Sequence, residues 1–136
     1  MAGSVLKNLQ AGQTDAVAAA LRMRRQGCYA GSTLEDLDVA MGDVFFAHPQ
    51  AVHGTLEQQH VTTTEALAFF QATPWSYVDR FCAQKRLFQQ RVSAVEALPV
   101  TSFDRTKVVA ALQDTLQMVT QACSEHPEGA ETGTPK

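Results

Sequence analysis

The chain has 136 residues, 45% of them apolar and 18% charged, and a net charge of −3. That length fits one domain and is too short for two cores of ordinary size; the composition is that of a globular protein, not a disordered segment or a membrane span. The basic residues are scattered apart from Arg22, Arg24 and Arg25, so no basic patch exists to neutralise a phosphate backbone, and a nucleic-acid partner is excluded.

No stretch approaches the roughly 20 apolar residues that cross a bilayer, so no membrane span is expected. Residues 1–10 also lack the apolar block of a secretory signal. Taken literally, the chain is cytoplasmic. Met1-Ala2-Gly3-Ser4, however, has the look of a cloning leader, and a mature exported domain expressed without its signal begins in this way. The expected layout is a leader and N-terminal segment at 1–11, a helical domain at 12–126 and a disordered tail at 127–136, the tail being rich in Gly, Glu, Thr and Pro.

In chain order, Thr14 is placed to cap a helix with Asp15 in its first turn and Arg22, Arg24 and Arg25 in its last, a charge order that suits the macrodipole at both ends. Gly27 closes it. Ser32-Thr33-Leu34-Glu35 has the pattern of a capping box, and Leu34, Leu37, Met41, Val44 and Phe45 follow at helical spacing to an end near Ala47. Pro49 fits the first position of a short helix over 50–57, weakened by Gly54. Thr62-Thr63-Thr64-Glu65 offers a capping box in either of two registers for a helix carrying Leu67, Phe69 and Phe70, which Pro74 ends. From Trp75 to Leu98 the stripe Val78, Phe81, Cys82, Phe88, Val92, Val95 predicts one long helix, bent near Cys82 and stopped by Pro99. Thr101 or Ser102 then caps the last helix, with the stripe Val108, Val109, Leu112, Leu116, Val119, Cys123. Runs of strand-like alternation are nearly absent. The expected fold is all-α, a compact bundle of about six helices with the last two long and antiparallel.

Cys82 and Cys123 both fall on the apolar faces of those two helices, where an antiparallel pairing brings them together. Oxidised, they close a loop of about 40 residues, worth roughly 3 to 4 kcal/mol in the chain-entropy model. Reduced, they are buried thiols of hydrophobic character, as a cytosolic location requires. Cys28, in the turn Gly27-Cys28-Tyr29, has no sequence neighbour that lowers its pKa and reads as structural.

His48, His53 and His60 match no zinc spacing, and a surface or capping role is the simpler reading. Neither Cys28 nor Cys82 lies in a motif that activates a thiolate for Cys–His hydrolysis. No catalytic residue, cofactor or metal ligand is assigned, and the chain is not expected to be an enzyme. The arginine cluster is a candidate grip on an acidic partner, though the helix dipole accounts for it. Trp75, Ser76 and Tyr77 open a helix after Thr73-Pro74, and exposed Trp, Tyr and Arg dominate protein interfaces; core packing is an equal alternative for Trp75. The polar loop 57–63, with His60, is placed to protrude.

With these residues placed, the chain resembles small helical periplasmic proteins of Gram-negative bacteria. The likeness runs through Gly12-Gln13-Thr14-Asp15-Ala16-Val17 into Ala20-Leu21, then Leu34-Glu35-Asp36-Leu37-Asp38-Val39-Ala40-Met41-Gly42-Asp43 and His48-Pro49-Gln50-Ala51-Val52. In that group a cysteine before the penultimate long helix and one near the end of the last recur, matched here by Phe81-Cys82 and Ala122-Cys123. Within the group, the class it resembles is the immunity protein of a type VI secretion amidase effector. That resemblance implies a periplasmic homodimer that occludes the Cys–His active site of a cognate peptidoglycan amidase with a loop or helix end. It carries over no inhibitory residue; His60 and the turn Trp75, Ser76, Tyr77 are nominated as partner contacts on local physics alone. Two other readings compete: a cytoplasmic adaptor or secretion chaperone, which requires reduced cysteines, and a small helical enzyme using His48, His53 and His60 for a metal.

Overall fold

The computed structural model describes residues 1–127; the tail expected beyond them lies outside the described residues. All regular structure among the described residues is helical, in seven α-helices: α1 Ala2–Gln10, α2 Val17–Arg25, α3 Gly31–Ala47, α4 Pro49–Gln58, α5 Thr63–Gln71, α6 Phe81–Glu96 and α7 Arg105–Glu125. Two 3-10 turns, Thr14–Ala16 and Trp75–Tyr77, precede α2 and α6. No helix among the described residues is long and apolar enough to cross a membrane.

Contacts divide the chain into two units. The first is Met1–Ala72 with Thr101–Phe103, and the second is Thr73–Val100 with Asp104 onward. In the first, α1 packs on α2 and α3, α2 on α4, and α3 on α4 and α5. Its buried side chains include Leu9, Val17, Leu21, Leu37, Val52, Leu56 and Phe69. Phe70 is central to a ring cluster, with centroids 4.6 Å from Phe45, 5.3 Å from Phe46 and 5.8 Å from Phe103. Residues 1–11, expected to stand apart from the helical domain, carry α1, which lies in this unit: Leu6 and Leu9 are buried, and the Tyr29 hydroxyl donates to the Ala2 carbonyl at 3.1 Å. Burial pushes that phenol's pKa up.

Three helix ends in the first unit are finished by backbone geometry alone. After α1, α2 and α4 the chain turns through a left-handed residue, Gly12, Gly27 and His60. The next amide bonds back over a full turn, Gln13 to Asn8, Cys28 to Met23 and Val61 to Leu56, which is the Schellman arrangement that satisfies orphan carbonyls. Two of these left-handed positions carry glycine; the third carries histidine.

Several expected caps differ. Thr62 and Glu65 form the reciprocal capping box, with the Glu65 amide donating to Thr62 Oγ1 at 3.1 Å and the Thr62 amide to Glu65 Oε1 at 3.0 Å. The box expected at Ser32 is absent, because extended Ala30 and left-handed Gly31 start α3 earlier, with no side-chain cap. Thr14 opens a 3-10 turn and caps no helix. For α7 the cap is Asp104, whose carboxylate accepts from the Lys107 amide at 3.1 Å. Thr101 instead donates to the Phe103 carbonyl, and Ser102 is bound to Glu57 and the Val61 carbonyl.

The second unit is a hairpin of α6 against α7, with Cys82 near the start of one bonded to Cys123 near the end of the other. The helix expected to run unbroken from Trp75 does not. Val78 is extended and Asp79 left-handed at φ 63°, which breaks the helical ladder before Phe81. Val78 is therefore 51% exposed and not part of the core stripe.

Candidate functional site

The break before α6 builds a turn on which two large apolar side chains, Trp75 and Val78, are exposed together. Pro74 supplies the extended entry, and its carbonyl accepts from the Tyr77 amide at 2.8 Å to close the 3-10 turn. Trp75, the sole tryptophan, is 56% exposed, and Ser76 and Val78 are exposed with it. Tyr77 is half-buried, with the Arg80 guanidinium 5.7 Å from its ring centroid. The Tyr77 carbonyl accepts from the Arg80 amide at 3.0 Å and from Gln84 Nε2 at 2.7 Å, which ties the turn to the fourth residue of α6. Gln84 is itself buried.

A few residues along the chain comes the Cys82–Cys123 disulfide, half-buried, with Cys82 the second residue of α6. Phe81 packs beside His126 at 6.1 Å between ring centroids, on the same pair of helix ends. The combination is an exposed aromatic and aliphatic knob on a covalently closed base. Chemically it is suited to docking: its groups are apolar, hydroxyl and guanidinium.

His60 belongs to the first unit. It is exposed, at φ 52°, and its carbonyl accepts from Arg25 Nη2 at 3.3 Å. The same guanidinium grips Glu65 with two bonds, Nε to Oε2 at 2.7 Å and Nη2 to Oε1 at 2.8 Å. Arg25 thus holds the α4–α5 connection to the end of α2. The bond from Arg25 keeps the Glu65 carboxyl below the ordinary glutamate range; burial opposes this, and the capping bond from Thr62 adds to it. Arg25 is correspondingly raised, chiefly by its bond to Glu65.

Arg24 forms the parallel link to α3, with Nε 2.9 Å and Nη2 3.3 Å from the Asp38 carboxylate and its guanidinium 5.3 Å from the Phe69 ring centroid. Two of the three clustered arginines therefore join helices, a role the dipole argument did not supply. The signal in the sequence is thin, because Asp38 and Glu65 lie 14 and 40 residues from their partners.

His53 Nε2 lies 3.9 Å from Glu57 Oε2, the carboxylate that also holds Ser102. His48, His53 and His60 are not drawn together, and among the described residues no three His, Cys, Asp or Glu side chains form a group able to hold a metal ion. Cys28 is exposed and unoxidised, its sulfur 3.9 Å from Gln26 Oε1. Val78, expected in the core stripe, is exposed on this turn with Asp79 and Arg80, and the buried Gln84 ties the turn to α6; the last three were not picked out from the sequence. Pro74 and Asp79, bracketing a run of aromatic and β-branched residues, are the punctuation that marks it.

Fold and site together define a class: an all-helical protein whose disulfide-closed hairpin presents an aromatic turn. Compared with protein-family models, curated proteins and solved structures, the chain matches none.

Proposed function

We propose that the chain is a non-catalytic binding protein of an oxidising compartment and, more specifically, a periplasmic immunity protein that occludes the active site of a cognate type VI secretion peptidoglycan amidase. The observation that carries the binding reading is the turn itself: Trp75 and Val78 are each more than half exposed on a tethered base. Large apolar side chains held out in this way are characteristic of anchors that fill a partner's pocket. The half-buried disulfide supports an exported location, since such bonds persist outside the reducing cytosol. The amidase as partner rests on the sequence resemblance.

The test is titration calorimetry of the oxidised protein against the purified amidase encoded beside it, with peptidoglycan hydrolysis as a second readout. A nanomolar complex that abolishes hydrolysis is expected. Trp75→Ala should weaken it by at least about thirtyfold, as removal of an interface anchor does. No binding and no inhibition at micromolar concentrations of both proteins sinks the amidase reading. Sedimentation of the free protein tests the homodimer that the same reading includes.

A further inference from the structure

The end of the α6–α7 hairpin away from the disulfide holds a recess that the binding function proposed above does not use. Helix α6 finishes at Glu96 and α7 begins at Arg105. There a solvent-open cleft of about 540 Å³ is lined by Glu96, Arg105, Thr106, Val109, Ala110 and Gln113, a volume within the range of small-molecule sites. The five lining residues of α7 share one helical face, as their spacing requires. Val109, expected in the core stripe, is only half-buried: Val108 is fully buried, and its neighbour is turned to the recess. Ala110 adds no more than a methyl group, which leaves the floor open.

The recess carries one formal charge of each sign. The Arg105 guanidinium is half-buried and held from one side, where Nη1 donates to the Leu98 carbonyl. Among the described residues its other N–H groups have no partner, the Glu96 carboxylate has none, and the two do not pair with each other. The helix dipoles keep the same sense. The negative end of α6, with no basic residue in its last turn, lies on the Glu96 side, and the positive end of α7 lies on the Arg105 side. The Asp104 carboxylate, at that end of α7, is engaged as the cap of the Lys107 amide. The Thr106 hydroxyl and Gln113 carboxamide add neutral donors and acceptors, over an apolar floor of Val109 and Ala110.

We propose that this recess binds a small zwitterion, an amino acid or short peptide with free ends. Arg105 takes the carboxylate through the Nε and Nη2 side of its fork, Glu96 takes the ammonium group, and Thr106 and Gln113 bond the atoms between. A simple anion would be met by Glu96 and a simple cation by Arg105, whereas a ligand with both charges satisfies each. A purely apolar ligand would cover both charges without pairing them. The proposal stands independently of the amidase reading.

The experiment titrates the isotope-labelled full chain, oxidised, with L-alanyl-L-alanine and follows backbone amide shifts by nuclear magnetic resonance. Saturating shifts concentrated at the six lining residues are expected, with millimolar affinity. N-acetyl-L-alanyl-L-alanine lacks the ammonium group and L-alanyl-L-alanine amide lacks the carboxylate; each should bind about tenfold more weakly, the loss of one charge-assisted bond at a partly solvated site. Glu96→Gln alters a side chain that holds nothing in the fold, so the variant should fold as the parent does. It should lose about tenfold for the dipeptide and nothing for the acetylated form. Ala110→Leu fills the recess from an exposed helical position and should abolish binding. L-alanine separates the sources: affinity equal to or above that of the dipeptide identifies a free amino acid, and lower affinity a peptide. The proposal is overturned by the absence of saturating shifts with both L-alanine and the dipeptide at tens of millimolar, or by shifts scattered over other helices. Affinity for either blocked form equal to that for the dipeptide overturns it too, as does parent-like binding by Glu96→Gln or Ala110→Leu.

Discussion

The two units finish their helices by different means. In the first, short helices end in Schellman turns at Gly12, Gly27 and His60, α5 begins in a capping box, and Arg24 and Arg25 link α2 to Asp38 and Glu65. In the second, α6 has no side-chain cap, α7 has no basic residue at its end, and a disulfide joins those two termini. Where neighbouring side chains and backbone turns satisfy helix ends, the chain places no cross-link. In the second unit, a covalent bond joins two helix ends, and the function proposed here is placed beside it. The contrast predicts that the first unit responds to packing and pH, and the second to redox chemistry.

The largest effect should come from the ring cluster. Phe70→Ala removes a fully buried side chain that touches Phe45, Phe46 and Phe103, and a loss of about 3 to 5 kcal/mol in denaturant unfolding is expected. A loss near ~1 kcal/mol would mean that the cluster collapses around the gap and does not anchor the unit. Next comes the covalent link. The double variant Cys82→Ser with Cys123→Ser opens a cross-link spanning 41 residues, and about 3 to 4 kcal/mol of stability should go with it. A stability equal to that of the oxidised parent would erase the distinction drawn between the units.

These two sites also differ in how far they could be read from sequence. Helix existence was legible from the apolar spacing of Leu37, Met41, Val44 and Phe45 and from proline and glycine punctuation, and the Thr62–Glu65 box was legible because capping is local. The pairing of Cys82 with Cys123 was open, since two stripes on antiparallel helices make it feasible without deciding the redox state. The arginine links were not legible, because nothing local distinguishes an arginine that stabilises a dipole from one that reaches an acid 40 residues away. Helix α1 went unread for a different reason: with only Leu6 and Leu9 buried, its apolar face is too narrow to stand out in nine residues. The exposed turn was half legible. Trp75 to Tyr77 stood out by composition, while the left-handed Asp79 that separates them from α6 carries a residue type that also sits comfortably inside a helix's first turns.

A smaller effect tests the charge links. Glu65→Ala removes both the capping box and the fork from Arg25. About 2 kcal/mol should be lost, limited because the Arg25 end is partly solvated. The pH dependence has a definite sign. The folded-state value of Glu65 lies below its ordinary one, chiefly through Arg25, so the unfolded chain takes up the proton first. The stabilisation is whole above the ordinary glutamate range and is lost as pH falls through the lower folded value. Urea midpoints measured from neutral pH down into acid should fall more steeply for the parent than for Glu65→Gln. Parallel curves would show that the fork contributes nothing.

The smallest effect is a gain. His60 occupies a left-handed position that in the two comparable turns is taken by glycine, and a side chain there costs about 1 kcal/mol relative to a residue without a β-carbon. His60→Gly should therefore stabilise the protein by up to about 1 kcal/mol, read as a higher urea midpoint with an unchanged slope. Backbone strain that a single substitution removes is retained where the side chain has a task. His60 is exposed, and its carbonyl is held by Arg25, so the imidazole is presented outward from a fixed backbone. If that task is partner contact, His60→Gly gives a more stable protein that binds more weakly, and the variant and the parent separate in calorimetry against the partner. A variant that is more stable and binds equally well would remove His60 from the interface and leave the aromatic turn as the sole contact element proposed.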